Sequence, residues 1–396
     1  MTRICILGGG FGGLYTALNL SRLPWAVMPE IILIDRNAHF LFTPFLYELV
    51  TGEMNEWEVA PSFAELLANS GVQFVQGTVT DIDLDARQIE VNVGQPSTLT
   101  FDRLVLAIGG ETPTNLVDGA AEYAIPFRNL DHFHRLNCKL ELLEASTQDK
   151  IRVCIAGAGS SGVELACKIA DRLKDRGRVR LVDRNEQILS KSTAKNRKVA
   201  ELALSKRGVW TDLHTKVEQV TDTDITLDYG NGRDTLPVDL VLWTVGTSFS
   251  KLLQKLPVPH DQRGAIATEA TLQLRGYGDV FAIGDAGGCV DANGQVLAAT
   301  AQVAFQQSQY CAWNIWASLN QQNLVPFSYI PLGEFISLGI DGATASILGR
   351  FDIDGLPASL MRRFAYLLRM PTLQHQWKLG AYWLTKPFVE TLRKSM

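Results

Sequence analysis

One glycine pattern, G-x-G-x-x-G, occurs twice in this chain and constrains its fold more than any other feature. The first copy begins at Gly8 and the second at Gly157. Each copy lies between an aliphatic run and a helix-like segment, and a second aliphatic run then ends in Asp35 or Asp183. The glycines allow a tight turn, close approach of a pyrophosphate and packing of helix on strand, while the acid binds a ribose hydroxyl. The pattern predicts an α/β chain with two Rossmann-type domains, each of which binds a dinucleotide.

The two patterns assign candidate dinucleotide-binding residues by position. An acid at the end of the second strand suits the free ribose 2′-hydroxyl of NADH, whereas the adjoining Arg184 suits the 2′-phosphate of NADPH. The residues alone leave this choice of nucleotide open. The first unit supplies Gly8, Gly10, Phe11, Gly12, Gly13, Asp35 and Arg36, and the second supplies Gly157, Gly159, Gly162, Asp183 and Arg184.

Length and charge limit the class of protein. A chain of 396 residues is too long for one core and suits two or three domains. The net charge of −5 argues against a nucleic-acid partner. The chain enters its first strand almost at once, so we expect no signal or transit peptide. No apolar run reaches the 18 residues of a membrane span.

The cysteines and histidines carry no metal or redox pattern. Six cysteines are scattered without a CxxC pair, which predicts free core thiols in a reducing compartment. Flavin enzymes that reduce disulfides need a close cysteine pair, so the sequence argues against that class. Only His132 and His134 lie near each other in sequence, and residues two apart on a helix do not share a face. We therefore predict no metal site.

Further glycine-ended strands point to cofactor contacts outside the two patterns. The runs 104–110 and 240–246 echo each other and place Gly109 and Gly246 at the ends of buried strands. A third buried run ends in Gly284-Asp285, where the acid is either a cofactor ligand or a turn residue or helix cap. A helix is predicted over Ala301–Leu319.

These features together resemble the type II NAD(P)H:quinone oxidoreductases. The shared features are two glycine patterns, a Gly-Asp strand end, and an AQxAxQQ motif that begins the 301–319 helix. The resemblance implies FAD on the first pattern and NADPH or NADH on the second, with FAD bound non-covalently. It implies an NAD(P)H domain, residues 116–264, inserted in a discontinuous FAD domain, residues 1–115 and 265–325. Residues 326–396 would form a C-terminal membrane-contacting region.

The resemblance also implies roles for particular residues. Pro44 would line the isoalloxazine, Asp285 would bind the ribityl chain, and Ala301 and Gln302 would lie at the flavin. Gln302 and Gln306 lie four apart, hence on one helix face, and would bind the quinone carbonyls. Gln307 is assigned to a solvated polar face.

Glu164 has two open interpretations. It follows Gly162 closely, and we place it in the first turn of the second helix, where the helix dipole favours a carboxylate. The resemblance instead implies a glutamate beside the nicotinamide and quinone, which could relay protons. The sequence does not decide between these roles.

The C-terminal region carries a concentrated positive charge. Residues 358–396 hold seven Lys and Arg and one acid, Glu390, with aromatic residues between them. This composition is typical of a segment that docks on a membrane surface. The other interpretation is a packed helix pair with a basic outer face. The aromatic residues are Phe364, Tyr366, Trp377, Tyr382, Trp383 and Phe388.

The same C-terminal segment resembles the cyanobacterial and plastid branch of the family. That branch implies reduction of a prenyl or phytyl naphthoquinone, demethylphylloquinone, in phylloquinone biosynthesis. It implies a peripheral protein on the cytoplasmic side of a thylakoid or plasma membrane. The oligomeric state stays open, with a homodimer among the arrangements.

Four other functions stay open at this point. One is a respiratory-type NADH:plastoquinone or menaquinone reductase. A soluble reductase of ferredoxin or rubredoxin would lack the AQxAxQQ helix and the basic aromatic tail. A sulfide:quinone oxidoreductase needs flavin-proximal cysteines in both halves. A non-enzymatic nucleotide sensor can share the fold, because fold alone does not set function.

Overall fold

A computed structural model describes residues 1–288, 290–292, 294–340 and 342–394. Residues 387–394 are described by their backbone only. Cys289, one of the six cysteines, and the side chains of Phe388 and Glu390 lie outside the described part.

The strands follow one another along the chain in the order given next. The first half contains β1 (Arg3–Leu7), β2 (Glu30–Asp35), β3 (Gln73–Gln76), β4 (Thr78–Asp83), β5 (Gln88–Asn92), β6 (Pro96–Thr100), β7 (Arg103–Leu106), β8 (Gly110–Glu111), β9 (Ala124–Pro126), β10 (Ile151–Ala156), β11 (Gly177–Val182) and β12 (Trp210–Asp212). The second half contains β13 (Lys216–Val220), β14 (Asp224–Asp228), β15 (Arg233–Pro237), β16 (Leu240–Trp243), β17 (Ser248–Phe249), β18 (Ile266–Ala267), β19 (Gln273–Leu274), β20 (Tyr277–Ala282), β21 (Gly287–Gly288), β22 (Gly333–Ser337), β23 (Ala343–Ile347) and β24 (Phe351–Asp354).

The helices are interleaved with these strands, and short 3-10 turns lie at Thr43–Phe45, Lys174–Arg176 and Gly284–Ala286. The helices are α1 (Phe11–Leu20), α2 (Leu46–Val50), α3 (Glu56–Val59), α4 (Phe63–Leu67), α5 (Ala120–Tyr123), α6 (Leu130–Ala145), α7 (Ser160–Leu173), α8 (Ala194–Lys206), α9 (Lys251–Gln254), α10 (Ala301–Leu319), α11 (Gly355–Leu367) and α12 (Leu373–Lys394).

The first domain is built on a six-stranded sheet in the order β19-β20-β7-β1-β2-β3. Strand β1 is parallel to both β2 and β7, and β20 is parallel to β7. The β1 residues from Ile4 to Leu7 are all buried, as expected for a parallel strand covered on both faces. Chain order reverses between β1 and β7, and ligands of open α/β sheets bind at such a reversal, beyond the carboxyl ends of the strands.

The second domain repeats this plan with a five-stranded parallel sheet in the order β12-β11-β10-β16-β9. The chain passes between the domains through two short strands, β8 and β17, which pair antiparallel. After β17, Leu253, Leu256 and Val258 pack into the core of the first domain. The predicted insertion of one Rossmann domain in the other is therefore the observed architecture. The numerical boundaries of the domains remain predictions.

The C-terminal region packs against both domains. Strands β22, β23 and β24 form an antiparallel sheet, and α11 and α12 follow. Tyr366 of α11 packs edge-on against Phe42, Phe45 and Phe335, with ring centroids 5.3–5.8 Å apart. Among the described residues, no helix combines the length and hydropathy needed to cross a membrane.

Candidate active site

The first glycine loop has the shape that the sequence predicts for a pyrophosphate cradle. Gly8 has φ +97°, and a Cβ at Gly13 would lie 1.8 Å from the carbonyl oxygen of Gly8, so neither position accepts a side chain. A Cβ at Gly10 would meet nothing within 4 Å, which leaves that side of the loop open to a ligand. Asp35 Oδ2 accepts a 2.6 Å hydrogen bond from the amide of Gly9 and ties the loop to the end of β2.

The second glycine loop repeats this geometry. Gly157 has φ +99°, a Cβ at Gly162 would lie 1.7 Å from the Gly157 oxygen, and Gly159 faces open space. Asp183 Oδ2 accepts a 2.6 Å hydrogen bond from the amide of Ala158. The two loops are therefore built alike at the level of single hydrogen bonds.

Both loops fit the pyrophosphate of a dinucleotide. Helices α1 and α7 each begin after a glycine N-cap with no side-chain hydrogen bond, and neither has an acid in its first turn. Their first amides are free of side-chain acceptors, and aligned amides at a helix N-terminus favour an anion. The first loop would hold FAD and the second NAD(P)H.

Asp285 lies in the turn that follows β20, the strand paired with β7 in the first sheet. Gly109 and Gly284, with φ +69° and +65°, end the neighbouring strands. Nη2 of Arg128 donates to Asp285 Oδ2 at 2.5 Å. Sequence reasoning missed Arg128, since it lies just after β9 in the other domain and no local pattern marks it.

Glu164 is buried between the second domain and the C-terminal region. Its Oε1 accepts a 2.8 Å hydrogen bond from the amide of Ser337 and lies 4.0 Å from Nη2 of Arg362. Burial raises the pKa of Glu164 to about 7, although Arg362 and the Ser337 amide oppose this rise. Placement in the first turn was wrong, because α7 begins at Ser160 and Glu164 lies in its second turn. The helix dipole falls off within the first turn, so it does not explain this glutamate.

A buried cluster of charges surrounds Glu164. Nη1 of Arg362 donates to Glu48 Oε1 at 2.5 Å, and Nη2 of the same guanidinium donates to the carbonyl of Pro44. Lys168 of α7 pairs with Glu53 and lies 4.0 Å from Glu48. Although burial alone would raise the pKa of Glu48, Arg362 and Lys168 hold it below its ordinary value. The cluster therefore connects three parts of the protein: the first-domain segment that contains Pro44, helix α7 of the second domain, and α11.

Sequence reasoning missed this cluster, although one signal was present. Arg362 lies four residues after Ala358, so the helical period places it on the buried face of α11. An arginine on the apolar face of a helix indicates a buried partner.

The side chains of the predicted quinone motif have partners in the protein. The Gln302 amide donates to the carbonyl of Gly333 at 3.1 Å and accepts from Leu332 and Tyr329. The Gln306 amide donates to and accepts from the backbone of Ile330, at 2.8 and 3.0 Å. Both glutamines thus hold the segment 329–333 against α10, and their contact with a quinone stays a prediction.

Gln307 contradicts its sequence-based assignment. It is fully buried rather than solvated, and its Oε1 accepts a 2.7 Å hydrogen bond from the amide of Gly284. The helix itself, Ala301–Leu319, is confirmed, with Thr300 as the N-cap. A helical period shows which residues share a face but not which face is buried.

Comparisons with known proteins agree with this geometry. The sequence pattern of the pyridine nucleotide-disulphide oxidoreductases matches residues 2–308. The chain is 50% identical, over 99% of its length and 98% of the relative, to demethylphylloquinone reductase NdbB of Synechocystis sp.. The chain belongs to the pyridine nucleotide-disulphide oxidoreductase family, in its type II NAD(P)H:quinone oxidoreductase branch.

A second relative supports this placement, and a solved structure shows the same fold. Identity is 38%, over 98% of the chain and 82% of the relative, to alternative NAD(P)H-ubiquinone oxidoreductase C1, chloroplastic/mitochondrial, of Arabidopsis thaliana. The structure of NDH2 from Plasmodium falciparum in complex with NADH superposes with a TM-score of 0.87 over 98% of both chains, at 17% identity. This type II oxidoreductase is an enzyme that uses FAD and NAD(P)H, as predicted.

The cysteines of this type II oxidoreductase fit that assignment. The cysteines among the described residues are free, and all but Cys138 are buried. Burial raises the pKa of the Cys5, Cys154 and Cys167 thiols to about 12. These thiols are therefore protonated and unreactive near neutral pH.

The tail aromatics divide between two faces. The Tyr382 hydroxyl accepts a 2.9 Å hydrogen bond from the Asn55 amide, and Nε1 of Trp383 donates to Glu58 at 2.7 Å. Phe364 and Trp377 are instead 62% and 78% exposed. The tail bases largely turn inward, since Arg362, Arg363, Lys378 and Lys386 all bond to the first domain.

The outward face of the tail helices is apolar. Three α11 residues and Leu368, which directly follows α11, repeat at intervals of four along one stripe, and α12 adds three more. The members of this apolar stripe are Leu356, Leu360, Phe364, Leu368, Leu373, Trp377 and Leu384, each more than half exposed.

Proposed function

We propose that this enzyme is an FAD-dependent NAD(P)H:quinone oxidoreductase that reduces demethylphylloquinone, a naphthoquinone with a long apolar tail. The single observation that carries this proposal is the 50% identity with demethylphylloquinone reductase NdbB over nearly the full length of both chains. Intact glycine loops for both dinucleotides support it.

The residues of this chain would divide the work as follows. FAD supplies two-electron redox chemistry when bound. Gly8, Gly10 and Gly13 would hold its pyrophosphate, and Asp285 would bind its ribityl chain. Quinone reduction consumes protons. Glu164, with a pKa of about 7, carries a proton whenever the pH is below that value. A carboxyl group with that pKa exchanges protons readily near neutral pH, so it suits a general acid. We assign it that role.

The quinone would arrive from a membrane. The apolar stripe defined above consists of exposed residues of α11 and α12 and of Leu368 between them, and exposed apolar area of this kind marks an interaction surface. A lipid surface is the partner that also contains the substrate. We therefore propose that the stripe inserts in the interfacial region of a bilayer, as amphipathic helices do. Insertion would bring the 329–333 segment and α10 close to the lipid.

The nucleotide is NADPH in this proposal, with Arg184 binding its 2′-phosphate. Arg184 is exposed just after the end of β11. It directly follows Asp183, whose carboxylate accepts the hydrogen bond from the Ala158 amide. Asp183 favours the competing function, an NADH:plastoquinone or menaquinone reductase, because an acid repels a 2′-phosphate.

Steady-state assays test the proposal. Purified holoprotein is mixed with NADPH or NADH and with demethylphylloquinone, menaquinone or plastoquinone in detergent or vesicles. We expect NADPH with demethylphylloquinone to give the highest kcat/KM. A preference for NADH with plastoquinone or menaquinone would favour the respiratory function instead.

A further inference from the structure

The side chain of Gln307 has one polar atom that the protein leaves unsatisfied. Its Oε1 accepts a hydrogen bond from the amide of Gly284, and its Nε2 is buried without a hydrogen-bond partner among the residues that the structure describes. Buried NH2 groups are normally paired, because an unpaired donor loses its hydration without compensation. The Gln307 NH2 group therefore points to an acceptor that comes from outside the chain.

The orientation of this amide is fixed by chemistry. The oxygen and nitrogen of a glutamine amide are hard to tell apart by shape alone. Here the partner is a backbone N–H, which only donates, so the atom that faces Gly284 is the oxygen. The other atom is the NH2 group, and a flipped amide would leave two donors facing each other.

Gln307 lines a cavity next to the proposed cofactor contacts. Asp285, Gly284, Phe249 and Arg263 share the wall of this cavity. An ionised carboxylate such as Asp285 only accepts hydrogen bonds, whereas the Gln307 NH2 group only donates. A hydroxyl group satisfies both, since it donates one hydrogen and accepts others.

We propose that Gln307 is a further FAD-binding residue, whose NH2 group donates to a hydroxyl of the ribityl chain. This inference rests on the proposed function, which assigns the first domain to FAD. Gln307 holds the Gly284 amide with one end and the cofactor with the other, so it positions the Gly-Asp turn against the ribityl chain. This role differs from that of Gln302 and Gln306, which hold the 329–333 segment.

Flavin-free protein titrated with FAD tests the inference without any turnover. Gln307→Glu keeps an oxygen for the Gly284 amide and removes the NH2 donor, whereas Gln307→Leu removes both. Gln309→Leu is the matched control, because Gln309 is an exposed residue of the same helix. We expect both Gln307 variants to raise the Kd for FAD about tenfold or more, as loss of a buried donor does. The control should stay within about twofold of the parent protein.

Ribityl-deoxy analogues of FAD decide which group receives the bond. We expect one analogue, lacking a single hydroxyl, to bind the parent protein much more weakly than FAD. The absence of the same hydroxyl should weaken binding to Gln307→Leu little further, since that variant has already lost the contact. Should Gln307→Leu fail to fold, the analogue series is run on Gln307→Glu, with the melting temperature of the flavin-free protein as the check on folding.

Two outcomes would overturn the inference. One is a Kd for FAD in folded Gln307→Glu within about twofold of that of the parent protein. The other is an equal loss of affinity, relative to FAD, for every analogue in both parent and variant, which would mean that an ordered water accepts the hydrogen bond. A parent protein that binds no FAD would instead contradict the proposed function.

Discussion

Arg362 Nη1 donates to Glu48 Oε1 at 2.5 Å, and both side chains are almost completely buried. The pair joins α11 of the C-terminal region to α2 of the first domain. The same guanidinium contacts the carbonyl of Pro44 and lies 4.0 Å from Glu164. The tail is thus part of the wall of the candidate site, and changes in α11 should reach that site directly.

Arg362→Met should destabilise the protein strongly. It leaves Glu48 as a buried carboxylate without its main partner, and breaking a buried pair in this way typically costs about 3–5 kcal/mol. Thermal or urea unfolding measures this loss. Arg350→Met, at an exposed position, should change stability little. The double variant Arg362→Met/Glu48→Gln should recover part of the loss, and no recovery would show that the ion pair is not the cause.

The raised pKa of Glu164 predicts that the difference in stability between the parent protein and Glu164→Gln depends on pH. Its pKa is raised from 4.5 to about 7, so the folded protein binds more protons than the unfolded chain between these values. The free energy of unfolding of the parent protein, compared with that of a variant with a neutral side chain at position 164, should therefore fall as pH rises through this window. The total fall should be on the order of 3 kcal/mol. Glu164→Gln removes the titration and keeps an oxygen for the Ser337 amide.

Urea unfolding of both proteins across this pH window gives the measurement. The variant should gain stability over the parent as pH rises from 4.5 to about 7. A difference that does not change with pH would mean that Glu164 titrates at its ordinary value. Glu48, Arg362 and Lys168 face Glu164. The pKa of Glu48 is held below its ordinary value and that of Arg362 above its own, so neither of these two groups changes charge in this range.

Membrane docking through the apolar stripe predicts a site-specific loss of vesicle binding. Phe364→Ser with Trp377→Ser should weaken sedimentation with lipid vesicles, since each side chain contributes roughly 1.5–3 kcal/mol on full burial. Leu142→Ser with Leu202→Ser is the matched control, because these leucines of α6 and α8 are also more than half exposed. Equal sedimentation of the two double variants would place the docking surface elsewhere.

Arg184→Ala tests the choice of nucleotide. Removing a guanidinium that pairs with the 2′-phosphate should raise the KM for NADPH far more than that for NADH. NADH serves as the internal control, since it lacks this phosphate. An equal rise in both KM values would show that Arg184 does not recognise the phosphate.

The sequence predicted the parts of the site that depend on local geometry. The glycine loops, the acids that follow them and the helix Ala301–Leu319 all rest on patterns within about thirty residues of chain. The contacts of Asp285 with Arg128, and of Glu48 with Arg362, join residues 157 and 314 positions apart. No local pattern encodes such pairs.

The wrong assignments have the same physical origin. The helical period groups Val303 and Gln307 on one face of α10, but only the packed fold shows that this face is buried. Glu164 was placed one turn too early, because helix starts read from sequence are uncertain by a residue or more. Burial of a polar residue is decided by its distant partners.

Anaerobic stopped-flow spectroscopy of the holoprotein tests the central claim most directly. Mixing with NADPH should bleach the visible absorbance of the bound flavin, and subsequent mixing with demethylphylloquinone should restore it within the time of one catalytic turnover. Flavin that neither NADPH nor NADH bleaches, or that no quinone restores once it is bleached, would contradict the assignment as an NAD(P)H:quinone oxidoreductase.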